Sequence, residues 1–135
     1  MAGLIDSSVI IELERSGLPP EAVAAIFPAE PVALAAITAS ELLVGVLRAN
    51  TSQCRYQRMR FVEAILNRIA VFPFDLPVAR HHAQIGIALR AAGRPIGSND
   101  LLIAATALSH GRVVITHNVR EFAHVPGLAV RLPDW

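Results

Sequence analysis

The sequence predicts an α/β protein in three layers, with a mainly parallel central sheet of four to five strands flanked by helices. Three observations lead there. Short apolar runs alternate with segments of helical spacing along the whole chain, the order that builds parallel sheets. The runs Val32–Ile37 and Val113–Thr116 are apolar almost without interruption, as strands covered on both faces are. At 135 residues and 53 % apolar content, the chain is long enough to bury a core without staples, and it reads as one domain over residues 1–135.

Ala2–Asp6 is the first predicted strand, and a short helix follows through Val9, Ile10 and Leu13 to a stop before Gly17. Pro19-Pro20 open a second helix with Val23, Ile26 and Phe27 on one side, and Pro28 and Pro31 end it. Val32–Ile37 is the second strand. Thr38-Ala39-Ser40-Glu41 then starts a helix as a capping box, the Glu41 side chain reaching back to the Thr38 N–H. From Ser52 to Ile69, apolar residues at three- and four-residue spacing (Tyr56, Met59, Val62, Leu66, Ile69) predict another helix. Ala70–Phe74 is the third strand. Asp75-Leu76-Pro77 opens a long helix with Val78, His82, Ile85 and Leu89 inside and Gly93 as its stop signal. Gly97 and an N-capping Ser98 lead into the most apolar helix of the chain, which carries Asp100 in its first turn. Val113–Thr116 and Leu128–Arg131 complete the strands.

Composition excludes several classes of function. The longest apolar runs are too short to span a bilayer, and the N-terminus lacks the basic flank and apolar run of a signal peptide, so a cytoplasmic location is expected. The single Cys54 forms no internal disulfide, and no Cys/His cluster has zinc-ligand spacing. His81 and His82 are adjacent and point about 100° apart on a helix, which disfavours a shared metal. His117 reads as a turn histidine, with contact to a substrate phosphate as the alternative. Net charge is only +1, yet all twelve basic residues are Arg, and Arg48, Arg55, Arg58, Arg60 and Arg68 fall in one stretch. That stretch suits either a phosphate-facing surface or a solvated helix face. Trp135 suits either a sheet edge or a partner contact.

The polar residues at the strand ends carry the chemistry. Asp6 ends the first strand, Glu41 lies just beyond the second, Asp100 opens a buried helix and Asn118 follows the fourth strand. In a parallel sheet these ends share one edge, the place where ligands bind in open α/β folds. Each residue has a local explanation as well: Asp6 as an N-cap, Glu41 in a capping box, Asp100 against the helix dipole, Asn118 in a turn. Jointly, three carboxylates in one notch repel one another unless a cation neutralises them. Oxygen-only ligands select a hard ion such as Mg²⁺ or Mn²⁺, and such a site suits phosphodiester hydrolysis.

Four segments resemble signatures of one family: Leu4-Ile5-Asp6-Ser7-Ser8, Thr38-Ala39-Ser40-Glu41-Leu42, Gly97 to Ala105, and Thr116-His117-Asn118-Val119-Arg120-Glu121-Phe122. In this order they resemble PIN-domain ribonucleases, and more narrowly the VapC-type toxins of bacterial toxin–antitoxin pairs. The resemblance implies a PIN-like fold and an RNA endonuclease dependent on Mg²⁺ or Mn²⁺. The family's metal-binding acids carry over to Asp6, Glu41 and Asp100. Ser7 or Ser8, and Thr116, fall where the family keeps hydroxyls that hold the site together. Asn118 departs from the Asp of many relatives, which leaves a second metal position open; Glu121, one turn on, is the candidate for the missing charge. The resemblance also implies a homodimer, using apolar faces of the 38–70 region, and a cognate antitoxin laid into the acidic groove. The alternatives are a catalytically weakened PIN fold serving as a binding module, kept in view by Asn118, and another acidic-site, metal-dependent phosphoesterase.

Overall fold

The computed structural model describes residues 2–25 and 31–134. In chain order these form β1 (Gly3–Ile5), α1 (Ser7–Arg15), α2 (Pro20–Ala25), β2 (Val32–Ala35), α3 (Ala36–Leu47), α4 (Ser52–Arg68), β3 (Ala70–Phe72), α5 (Leu76–Ala91), α6 (Ser98–His110), β4 (Val113–Ile115), α7 (Val119–Phe122) and β5 (Val130–Arg131). The strands form one sheet in the order β3-β2-β1-β4-β5, and each neighbouring pair is parallel. The registers Leu4↔Ala33, Leu4↔Val114 and Ala33↔Ala70 set β1 at the centre and carry the ends of β1, β2 and β4 to one edge.

Alternation along the strands divides the core into two. Ile5, Leu34, Val113 and Ile115 pack on one face with Val9, Ile10, Leu13, Val46, Phe61 and Ile65 of α1, α3 and α4. Leu4, Ala33, Ala35 and Val114 pack on the other with Val78, Ile85, Ile103, Ala104 and Phe122 of α5, α6 and α7. Successive side chains of a strand point to opposite faces, so a run of apolar residues supplies both layers at once. This is the three-layer arrangement expected from the unbroken apolar strands. Small residues bring the second layer close: a Cβ on Gly86 in α5 would stand 3.4 Å from Leu101 Cδ2 in α6, which is ordinary contact with no room to spare. Gly111 ends α6 in the left-handed region, at φ 62°, and lets the Arg112 N–H close on Ala107 C=O at 2.9 Å before β4 begins.

Several local expectations need correction: the third strand stops at Phe72, not Phe74, and the fifth starts at Val130, not Leu128. The second strand stops at Ala35, not Ile37, and α3 starts at Ala36 with no side-chain cap. Thr38 therefore sits inside α3, fully buried, and the expected Thr38–Glu41 capping box does not form. Gly97, not Ser98, is the N-cap of α6, again without a side-chain cap. Tyr56 does not join the inner stripe of α4: it is 64 % exposed, and Phe61, Val62 and Ile65 take that role. The expectations on Ile26, Phe27, Pro28 and Trp135 lie outside the described residues.

Candidate metal-assisted nuclease site

Asp6 follows β1 and caps α1. Its Oδ1 accepts from the Ser7 N–H at 2.8 Å, and its Oδ2 accepts from Ser8 Oγ at 3.2 Å and from Thr116 Oγ1 at 2.8 Å. Thr116, directly after β4, is fully buried, and its hydroxyl accepts in turn from the Asn118 N–H at 2.9 Å. One threonine thus ties the ends of two adjacent strands together. A buried carboxylate with three donors is a settled group, and only 6 % of Asp6 is exposed.

Glu41 enters from the other side, in the second turn of α3. Its Oε2 accepts from Asn99 Nδ2 at 3.4 Å, whereas Oε1 is buried and takes no hydrogen bond among the described residues. Burial pushes the Glu41 carboxyl above its usual range, with the Asp6 charge adding to the rise; hydrogen bonding from Asn99 and then Ser7 opposes it. Asp100 stands in the first turn of α6. Its carboxyl is pushed up to about 6, first by burial and then by the charges of Glu121, Asp6 and Glu41 around it. The three acids named from the sequence therefore feel one another electrostatically, as the parallel edge requires.

Asn118 and Glu121 form the fourth corner. Asn118 Nδ2 donates to Glu121 Oε2 at 2.8 Å, and the Gly97 N–H donates to Glu121 Oε1 at 2.9 Å. These two hydrogen bonds hold the Glu121 carboxyl below its usual range. Glu121 thereby satisfies the N–H of Gly97, the residue that opens α6. It is also the largest like-charge influence on Asp100, so negative charge is present at the corner where the sequence has the neutral Asn118. His117, between Thr116 and Asn118, turns its Nε2 to the Glu12 carboxylate of α1.

A divalent cation fits this donor set. The side chains that face one another are carboxylates, all hard oxygen ligands; Glu41 Oε1 is buried without a partner; and the electrostatic strain on Asp100 is of the sign a cation would relieve. Among the described residues, no three acidic, histidine or cysteine side chains stand close enough together to hold a metal ion as they are. Mutual repulsion of the carboxylates favours such an open arrangement. Asp6, Glu41 and Asp100, with Glu121 beside them, are the candidate ligands, and their side chains would have to close on an ion to hold it.

The PIN-domain family model matches residues 3–128. The chain belongs to the PIN-domain family. Ribonuclease VapC1 of Haemophilus influenzae (strain R2866) is 35 % identical over 137 residues, a match covering 100 % of this chain and 98 % of that relative. The tRNA(fMet)-specific endonuclease VapC of Shigella flexneri is 37 % identical over 102 residues, covering 76 % of this chain and 74 % of that one. Among solved structures, VapBC-1 from nontypeable Haemophilus influenzae superimposes with a TM-score of 0.81 at 32 % identity, covering 97 % of both chains. This PIN domain thus falls among VapC-type ribonucleases, in agreement with the four motifs and their order.

The local sequence reading missed three contacts of this PIN-domain site. Asn99 meets Glu41 across 58 positions, Glu121 meets Gly97 across 24, and His117 meets Glu12 from a neighbouring element. None has a local pattern. Only the strand order, once known, brings those segments together.

Proposed function

We propose that this PIN domain, as a single unit over residues 1–135, is a divalent-metal-dependent endoribonuclease acting as the toxin of a toxin–antitoxin pair in the cytoplasm. The observation that carries the reading is the coupled triad of Asp6, Glu41 and Asp100 at one sheet edge, with Glu41 Oε1 buried and unpartnered. Mg²⁺, or Mn²⁺ in its place, matches those oxygen donors.

When bound, such an ion activates water as a nucleophile and stabilises charge on the phosphate oxygens. The chain's own residues do the rest. Asp6 is held rigid by Ser7, Ser8 and Thr116, so the position of its carboxylate does not depend on the substrate. Glu41 and Asp100 come from opposite sides, and Glu121 adds negative charge beside Asp100 without leaving Asn118 and Gly97. Asn118 acts here as the donor that orients Glu121, a supporting role in the catalytic group. Ionised Asp100 is the form that binds a cation, so protons compete with the ion. Cleavage at limiting metal should fall as pH drops, with a midpoint below the metal-free value of about 6.

RNA is the substrate in this reading, in keeping with relatives named as ribonucleases. Two features support partners. A groove beside Glu41, floored by Ile10, Leu42, Val46 and Phe61, suits a segment of an antitoxin, and one structural neighbour is VapBC-1 from nontypeable Haemophilus influenzae. On the opposite side of α3, Ile37, Leu102 and the half-exposed Phe74 line an apolar hollow that suits a second copy of the chain. The reading is tested by incubating the protein with RNA in Mg²⁺, Mn²⁺ or EDTA. Internal cleavage in either metal and none in EDTA supports it; cleavage unaffected by EDTA overturns it.

A further inference from the structure

Glu41 differs from Asp6 and Glu121 in how it is held. The donor on its Oε2 belongs to another helix: Asn99 Nδ2 lies 3.4 Å away. Its other oxygen, Oε1, is buried and accepts no hydrogen bond of ordinary geometry among the described residues, although the Ser7 side chain also acts on this carboxylate. Asn99 directly precedes Asp100 in the first turn of α6, and the same turn is fixed on its far side by the 2.9 Å hydrogen bond from Gly97 to Glu121. A segment anchored at one acid therefore reaches a second acid and carries a third. An amide suits that position, because it offers a donor to a carboxylate without adding charge to the notch.

We propose that Asn99 is a positioning residue: its amide N–H holds Glu41 Oε2 and so leaves Oε1 turned toward the ion site. The proposal rests on the metal-dependent reading above. The 3.4 Å separation is longer than the 2.7–2.9 Å usual for a donor on a carboxylate, and hydrogen bonds of this kind tighten when the site fills. Asn99 is exposed, which leaves its substitution free of a core-packing cost.

The test is a double-mutant cycle of Asn99→Ala and Glu41→Ala, read by calorimetric titration with Mn²⁺ and by melting without metal. Asn99→Ala should weaken Mn²⁺ binding about tenfold, the scale on which outer partners of a ligand act, and lower the metal-free melting midpoint only slightly, through the loss of one long, exposed hydrogen bond. In the Glu41→Ala background, Asn99→Ala should add no further loss. Wild-type Mn²⁺ affinity in Asn99→Ala, together with weakened binding in Glu41→Ala, overturns the role of Asn99 and leaves the metal site standing. An equal loss in both backgrounds also overturns it, since Asn99 then acts through something other than Glu41. Wild-type affinity in Glu41→Ala removes Glu41 from the site, and the proposal falls with that reading.

Discussion

Asp6 and Asp100 are two aspartates at the same sheet edge, set in opposite surroundings. Asp6 accepts three hydrogen bonds from neutral donors, two of them hydroxyls, and caps the helix that follows it. Asp100 takes no neutral side-chain donor among the described residues and faces Glu121, Asp6 and Glu41, so its carboxyl is pushed up to about 6. One aspartate belongs to the framework whether or not a cation is present. The other ionises less readily, near pH 6, and a cation beside it would relieve that. In the proposed reading, the contrast puts the need for a cation on the α6 side and the rigidity on the β1–β4 side.

Removing the Asp100 charge breaks the contrast most severely. Asp100→Asn should lower RNA cleavage by about a hundredfold or more, the scale on which deleting one charge-stabilising group acts. It should also stabilise the metal-free protein at neutral pH. The sign follows from linkage: the folded value of about 6 lies above the ordinary 3.8, so the folded state holds its proton longer than the unfolded chain does. Stability of the metal-free wild type should therefore fall as pH rises from 3.8 toward about 6 and level off above it. Melting curves across that range check this, and the Asp100→Asn variant should show a flatter dependence on pH.

Thr116→Val attacks the rigid side. The substitution keeps the shape but removes the donor to Asp6 and the acceptor for the Asn118 N–H, both within a buried group. A loss of about 1–3 kcal/mol is expected from denaturant unfolding, with cleavage down about tenfold as Asp6 loses its orientation. A smaller effect is expected at the fourth corner. Asn118→Asp replaces the donor to Glu121 by a second carboxylate, so the metal-free variant should melt below the wild type and recover with Mn²⁺. Gly97→Ala should do least. The Gly97 φ of −58° is open to any residue, and an added Cβ would stand 3.6 Å from Asp100 Oδ2, an ordinary contact. The melting midpoint should stay close to that of the wild type, and cleavage within about twofold of it.

How much of this was legible in the sequence follows the same division. The unbroken apolar strands and helical spacings are local patterns, and they specified the three layers and the parallel sheet. Asp6 was legible as a cap because Asp before a helix is a local signal, and Ser8 and Thr116 came with the resemblance. The two helix starts were misplaced for one physical reason. At Ala36 and at Ser98 no side chain of the local sequence caps the helix, so the usual polar signal points to the wrong residue. At α6 the start is instead fixed by Glu121, which accepts from the Gly97 N–H from 24 positions away. Burial of Thr38 follows similarly from α3 beginning directly after β2. Contacts set by strand order, such as Asn99 with Glu41, have no trace in any short window.

The central claim is that the like charges around Asp100 are arranged for a divalent cation. Calorimetric titration of Mn²⁺ at about pH 7.5, where Asp100 is ionised, into the wild type and into Asp100→Asn tests it most directly. The account predicts a saturable wild-type isotherm and affinity reduced about tenfold or more in the variant, a ratio expected from loss of one charged ligand. Equal isotherms for the two proteins, or no binding by the folded wild type at millimolar Mn²⁺, would contradict it.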